Sequence, residues 1–338
     1  MRALAIEAPG TARVVERPEP RAGSGEVVIR VGRVGLCGTD LSSYLGKNPL
    51  VSYPRVIGHE ISGVIEHLGA DTGDWAPGVS VAVSPYKNCG ACPACRVKRP
   101  NACRNNQTLG VQRDGALAER AVIAVNRLYT SPHLTLEQLA LVEPFSVGMH
   151  AVRRARVTSD DTVLVIGCGG VGAGAVAGAA GRGARVIALD LSEAKRAQAL
   201  RLGATEAVDG GAPDIAEQVA ALTSGDGPSV VIEAVGSSAT YRLALEVVAS
   251  CGRIACLGWV KGDVALEARH IVAKEVDIVG SRNAMDEFAE VVALFESGRI
   301  DPGQVVTDRI GLDDVPAMFA RWAAEPAGVG KVLVSVGD

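Results

Sequence analysis

Aromatic residues are scarce in this sequence: three Trp, five Tyr and four Phe make up 4% of 338 residues. A nucleic-acid module that stacks bases needs more of them and a basic field as well, yet the formal net charge is −4. That balance also argues against an anionic membrane surface as partner. Long apolar runs are missing too. Gly and charged residues interrupt every apolar stretch well short of the ~20 residues that span a bilayer. The first residues are too short an apolar run for a secretory leader, and Glu7 and Pro9 would break one. The expectation is a cytoplasmic protein whose partner is a small molecule, with no nucleic acid and no membrane. In that reducing compartment its eight Cys read as ligands or core residues, not disulfides.

What is present suits a globular chain of about two domains, with 48% hydrophobic and 21% charged residues. Residues 1–150 are rich in turns. Short alternating runs such as Glu26-Val27-Val28-Ile29-Arg30-Val31, split by Gly and Pro, predict half-buried antiparallel strands. Residues 151–294 change character. Continuous apolar runs at 162–166, 185–189, 229–232 and 253–257 alternate with helical stretches. That rhythm predicts an α/β class with a doubly wound parallel sheet. Residues 295–338 are mixed again and close on an apolar run at 331–336, expected to pack back on the first domain.

The run at 162–166 leads into Gly167-Cys168-Gly169-Gly170-Val171-Gly172, a G-x-G-x-x-G between strand and helix. Gly167 permits a tight turn, Gly169 lets the backbone approach a pyrophosphate, and Gly172 allows close helix–strand packing. The phosphates would rest on free N–H groups at the helix start. In a chain with 40 Gly the motif alone is weak. Its weight comes from Asp190, which ends the next predicted strand about twenty residues on. A carboxylate there accepts hydrogen bonds from a ribose 2′-hydroxyl and repels a 2′-phosphate. Leu191 and Ser192 follow with no adjacent Arg, so NAD is expected over NADP. The alternative is a glycine-rich turn in a domain without a nucleotide.

Cys89, Cys92, Cys95 and Cys103 fall in a lobe at 86–105. Four soft thiolates at this spacing suit tetrahedral Zn²⁺ in a closed structural site. An iron–sulfur cluster is the rival, and a disulfide pair the plainer alternative. Arg96, Lys98, Arg99 and Arg104 are read as offsetting thiolate charge and facing solvent. A second constellation is dispersed: Cys37, then His59 with Glu60, then Glu143. One thiolate, one imidazole and one carboxylate leave a metal position open for water or substrate.

Taken in order, Gly35-Leu36-Cys37-Gly38-Thr39-Asp40, Gly58-His59-Glu60, the four-cysteine lobe, Glu143-Pro144 and the glycine loop resemble the zinc-containing medium-chain alcohol dehydrogenases over essentially the whole chain. Glu143 resembles the polyol and threonine dehydrogenase branch, and the stretches at 53–60 and 280–284 are most similar to dehydrogenases of sugar acids and sugar alcohols, such as L-galactonate or L-gulonate 5-dehydrogenases.

The resemblance implies a GroES-like catalytic domain at 1–150, a Rossmann domain at 151–294 and a C-terminal return at 295–338. It implies two zinc ions per chain. Cys37, His59 and Glu143 would bind the catalytic one, with Glu60 as a fourth or exchanging ligand. Asp40 would hydrogen-bond the free ring nitrogen of His59, and Thr39 would take the alcohol proton. Many members of the family carry a His where this chain has Ser42, which leaves the proton exit open. Val235, Gly236, Leu257, Arg282 and Asn283 join the glycine loop and Asp190 as implied cofactor contacts, and Phe145 and Arg282 as substrate contacts. Arg282 is expected to face the cleft between the domains and hold a carboxylate or paired hydroxyls. Its alternative role is an ion pair with Asp286 or Glu287. His67, His133, His150, His270, Cys168, Cys251 and Cys256 are read as core or surface residues.

The implied reaction is NAD-linked oxidation of a secondary alcohol on a polyol or sugar acid. An amino alcohol such as threonine is the runner-up substrate, and a non-catalytic zinc-stabilised nucleotide binder a remote third reading. A homo-oligomer is expected by resemblance, a tetramer before a dimer.

Overall fold

Four residues without solvent contact set the frame of the second half of the chain. Val163, Leu164, Val165 and Ile166 are all 0% exposed, so the strand Thr162–Ile166 must be covered on both faces. The computed structural model describes residues 1–325 and 328–337. In it this strand pairs in parallel with Arg185–Asp190 on one side and Val230–Glu233 on the other. Glu206–Asp209 forms one edge of the sheet, and Arg253–Cys256 followed by Asp277–Gly280 the other. In chain order the strands lie 3-2-1-4-5-6, the doubly wound dinucleotide-binding arrangement. Helix Gly170–Gly181 is buried almost throughout, which accounts for its bias to Gly and Ala. A Cβ on Gly174 would lie 2.6 Å from the Phe145 backbone, so this helix and helix Val142–Arg154 touch main chain to main chain.

These elements form one unit, Pro144–Glu287 with Ser297–Asp301. The other unit takes Met1–Glu143, Phe288–Glu296 and Pro302–Asp338, so the first unit is an insertion in the second. The outer unit is β-rich. A seven-stranded sheet centres on Glu26–Leu36, which pairs antiparallel with Glu60–Leu68, Arg120–Ala124 and Lys331–Ser335. The alternation of the run Glu26 to Val31 predicts a half-buried strand, but Val27, Val28, Ile29 and Val31 are all 0–2% exposed. Val27, Ile29 and Val31 share one apolar cluster, as alternation predicts, whereas Val28 is buried outside it, so the strand is covered on its second face as well. The last apolar run is the strand Lys331–Ser335, which also pairs in parallel with Val306–Gly311. Ile29, Leu36, Ile57, Ile61 and Phe319 belong to one apolar cluster under this sheet. Among the described residues no helix is long and apolar enough to cross a membrane.

Candidate metal and cofactor sites

The four-cysteine lobe converges as its spacing predicts. Pro93 starts the short helix Pro93–Arg96, and a 3₁₀ turn at Pro100–Ala102 brings Cys103 back to the others. The sulfur atoms lie 3.5 Å apart for Cys89 and Cys103, 3.6 Å for Cys92 and Cys95, and 3.8 Å for Cys92 and Cys103. A tetrahedron of thiolates about 2.3 Å from Zn²⁺ has edges of about 3.8 Å, so the set fits that ion. Backbone N–H groups of Ala91 and Cys92 hold the Cys89 thiol down at about 6. Those of Cys95 and Arg104 lower Cys92. Desolvation and the neighbouring thiols push Cys95 up to about 12.

The dispersed constellation is assembled in the β-rich unit. Cys37 caps helix Gly38–Tyr44, and its N–H donates to Asp40 Oδ2 at 2.9 Å. Glu60 opens the strand Glu60–Leu68, with His59 just before it. Cys37, His59 and Glu60 offer ligand atoms all within 4.8 Å of one another. Glu143, near the start of its helix, stands outside that group of three and accepts a hydrogen bond from the Tyr86 hydroxyl. Burial pushes the Glu143 carboxyl up to about 7 and also raises Asp40. Burial pulls His59 down, but Asp40, Cys37 and Glu143 outweigh it and leave the imidazole well above its usual range. Asp40 Oδ1 lies 3.7 Å from His59 Nδ1, longer than a hydrogen bond, and neither atom has another partner among the described residues. Thr39 Oγ1 is 3.7 Å from Cys37 Sγ.

Two residues here escaped sequence reading. Tyr86 gave no signal. Lys331 did give one, as a lone charge opening an apolar strand. Its Nζ is buried and donates to both Glu60 oxygens, at 2.6 and 2.7 Å, and to the Leu36 carbonyl at 3.3 Å. Desolvation would lower Lys331, but Glu60 and Cys37 more than reverse it. One fixed cation thus faces a thiol and three buried carboxyl groups, Asp40, Glu60 and Glu143. A divalent metal fits that acidic surplus and the mixed donor set.

The residues expected to contact a cofactor lie in the other unit, along the carboxyl ends of the parallel strands. A Cβ on Gly172 would lie 1.8 Å from the Gly167 carbonyl, so only glycine fits there. Asp190 is tied to the loop: Oδ2 accepts from the Cys168 N–H and Oδ1 from the Ser192 N–H, both at 2.8 Å. A third missed residue is Arg196. It lies beyond the short window read after Asp190, yet helix Glu193–Arg201 carries its guanidinium back to the same turn.

The next turn is organised by Glu233, which is fully buried. Its Oε1 accepts from the N–H groups of Val235 and Gly236 and from the Thr240 hydroxyl, at 3.0, 2.8 and 2.8 Å. Val235 is exposed and Leu257 buried. Arg282 lies over the Trp259 ring at 6.0 Å, and Asn283 adopts a left-handed backbone with φ 53°. Asp286 and Glu287, the alternative partners for Arg282, ion-pair with Arg153, and Glu287 also with His150 at 2.8 Å. Phe145 is 1% exposed, in the core of its unit.

Comparisons with known proteins bear on both units. Residues 23–133 match the family model of the alcohol dehydrogenase GroES-like domain, and residues 170–297 that of zinc-binding dehydrogenases. The chain is 35% identical to the L-galactonate-5-dehydrogenase of Escherichia coli K12 over 307 residues, 90% of each protein. Among solved structures it is similar to an alcohol dehydrogenase of Escherichia coli CFT073, described as short chain and complexed with NADH. That match has a TM-score of 0.92 and 29% identity over 99% of each chain. A putative zinc-binding dehydrogenase of Sinorhizobium meliloti 1021 bound to NADP gives 0.91 and 31%, over 99% of this chain and 98% of that one.

Proposed function

Since this chain belongs to the zinc-containing medium-chain alcohol dehydrogenases, we propose that it oxidises a secondary alcohol of a polyol or sugar acid to the ketone, with NAD⁺ as acceptor. The observation that carries the reading is the group of Cys37, His59 and Glu60, two of them buried and Cys37 half-buried, with Glu143 alongside and Lys331 as the fixed counter-charge. Cys37, His59 and Glu143 hold the catalytic zinc, with Glu60 as a fourth or exchanging ligand. Cys89, Cys92, Cys95 and Cys103 hold a second, structural zinc.

When bound, zinc held by these residues would supply a Lewis acid for the substrate hydroxyl, and NAD⁺ would supply the hydride acceptor. Thr39 accepts the hydroxyl proton. Asp40 fixes the tautomer and orientation of His59 through Nδ1. The glycine loop and Asp190 hold the pyrophosphate and the adenine-side ribose, with Val235, Gly236, Leu257 and Asn283 beside them. Arg282, stacked on Trp259, takes a carboxylate or a pair of substrate hydroxyls. The edge strand Asp277–Gly280, with Ile278 exposed, supports a homo-oligomer, and the preference for a tetramer over a dimer rests on the family resemblance alone. The cytoplasm is the proposed address.

A screen of aldonates, polyols and threonine for NADH production, with elemental analysis of the same sample, tests this. The expected result is turnover of a sugar acid or polyol by protein holding about two zinc ions per chain. Faster turnover of threonine would move the substrate to the amino alcohols. An active enzyme without zinc would overturn the site.

A further inference from the structure

We propose that Asp209 sets the cofactor preference through Arg196, by holding that guanidinium away from the place a 2′-phosphate would occupy. The inference rests on the reading that Asp190 receives the adenine-side ribose. Asp190 and Asp209 end adjacent parallel strands and are register partners. Arg196 reaches the same turn from helix Glu193–Arg201. Its Nη1 donates to the Asp190 carbonyl at 2.8 Å, to the Leu191 carbonyl at 3.0 Å and to Asp209 Oδ1 at 3.0 Å. Asp209 is itself fixed, because the same Oδ1 accepts from the Gly211 N–H at 3.0 Å.

A guanidinium beside the ribose carboxylate is the group that accommodates a 2′-phosphate in NADP-binding sheets. Here the ingredient is present but engaged. Two carbonyls and a carboxylate absorb one of its nitrogens, and Asp209 offsets its charge. The 2′-phosphate is therefore refused twice: by Asp190, which repels it, and by Asp209, which keeps Arg196 from attracting it. Replacing Asp190 alone lifts the repulsion and leaves Arg196 where it is. Asp209→Asn keeps an oxygen for the Gly211 N–H while releasing the charged partner. Asp209 is thus a positioning residue, two strands from the glycine loop.

The test uses the zinc-loaded protein and two probes of the adenosine end alone, 5′-AMP and 2′,5′-ADP, titrated by calorimetry at fixed ionic strength. The unsubstituted protein should bind 2′,5′-ADP more weakly than 5′-AMP by ~10-fold or more. Asp190→Ser should narrow that gap. Adding Asp209→Asn should tighten 2′,5′-ADP by a further ~10-fold, as a charged hydrogen bond is gained, with 5′-AMP changed by less than about 2-fold. Adding Arg196→Gln should abolish the second gain. Equal 2′,5′-ADP affinity with and without Asp209→Asn would overturn the proposal. So would a gain that survives Arg196→Gln, since that would come from deleting a negative charge alone. If the unsubstituted protein bound both probes equally, the NAD reading would fail instead. Should Asp209→Asn lower the melting temperature strongly, Asp209→Ser in the same backgrounds gives the same reading.

Discussion

In the unit Pro144–Glu287 the cofactor loop is mostly main chain: glycines that tolerate close approach, N–H groups at a helix start, and carboxylates at strand ends that tie down their own turns. In the β-rich unit the candidate metal site is made of side chains drawn from Cys37, His59, Glu60, Glu143 and Lys331. A main-chain site is local, so its residues can be read as one motif. A side-chain site is assembled from distant strands, so each member looks ordinary until the fold brings them together. The two should also fail differently.

The sharpest way to break that contrast is His59→Ala. Turnover should fall by roughly 10³-fold or more, as several kcal/mol of transition-state stabilisation disappear, while NAD⁺ affinity by titration stays within about 2-fold. Gly172→Val should do the reverse, losing NAD⁺ binding while zinc content is kept. If His59→Ala also released NAD⁺, the sites would not be separable.

Thr39→Val should cost roughly 10²-fold in turnover, the usual loss when a positioned proton acceptor is removed. Ser42→Ala should cost much less. Normal turnover in Thr39→Val, measured with the best substrate from the screen, would remove Thr39 from the reaction.

Lys331→Met asks whether Glu60 needs its partner. Freed from the ammonium, Glu60 can stay on the metal. Turnover should fall by ~10–100-fold, and zinc should be lost more slowly to a chelator. Fast zinc loss with unchanged turnover would reduce Lys331 to packing.

The smallest effect concerns the floor of the parallel sheet. Asp161 accepts from the Thr158 N–H at 2.8 Å and the Ser229 hydroxyl at 2.7 Å, and from Arg253. Burial would raise its pKa, but these partners reverse that and leave it below the usual value. A carboxylate lowered on folding contributes stability above its unfolded pKa of ~3.9, and that stability is lost as pH falls through the folded value. Asp161→Asn should therefore lower the melting temperature by a few degrees at pH 7, about 1–3 kcal/mol, with the gap closing towards pH 3. A gap independent of pH would mean that shape, not charge, matters there.

Much of this was legible because the informative residues are adjacent in sequence. The strand before Gly167, the glycine loop and the four cysteines each lie within a short window. The burial of Val28 is not legible, because an alternating pattern does not show whether the second face of a strand is covered. Tyr86 could not be seen, since only the fold brings its hydroxyl to Glu143. Arg196 is not legible from the residues next to Asp190, because only the helix brings its guanidinium back to that turn.

The insertion of one unit into the other has a consequence for synthesis on the ribosome. Residues Pro144–Glu287 form most of a unit whose sheet is continuous in sequence, and it can fold as it emerges. The β-rich unit cannot. Its central strand waits for Lys331–Ser335, and Glu60 waits for Lys331. At ~5–20 residues per second, the ~190 residues after Glu143 take about 10–40 s to appear. During that interval the strand Glu26–Leu36 lacks the partner Lys331–Ser335 and Glu60 lacks Lys331, which is when a chaperone would have most to bind.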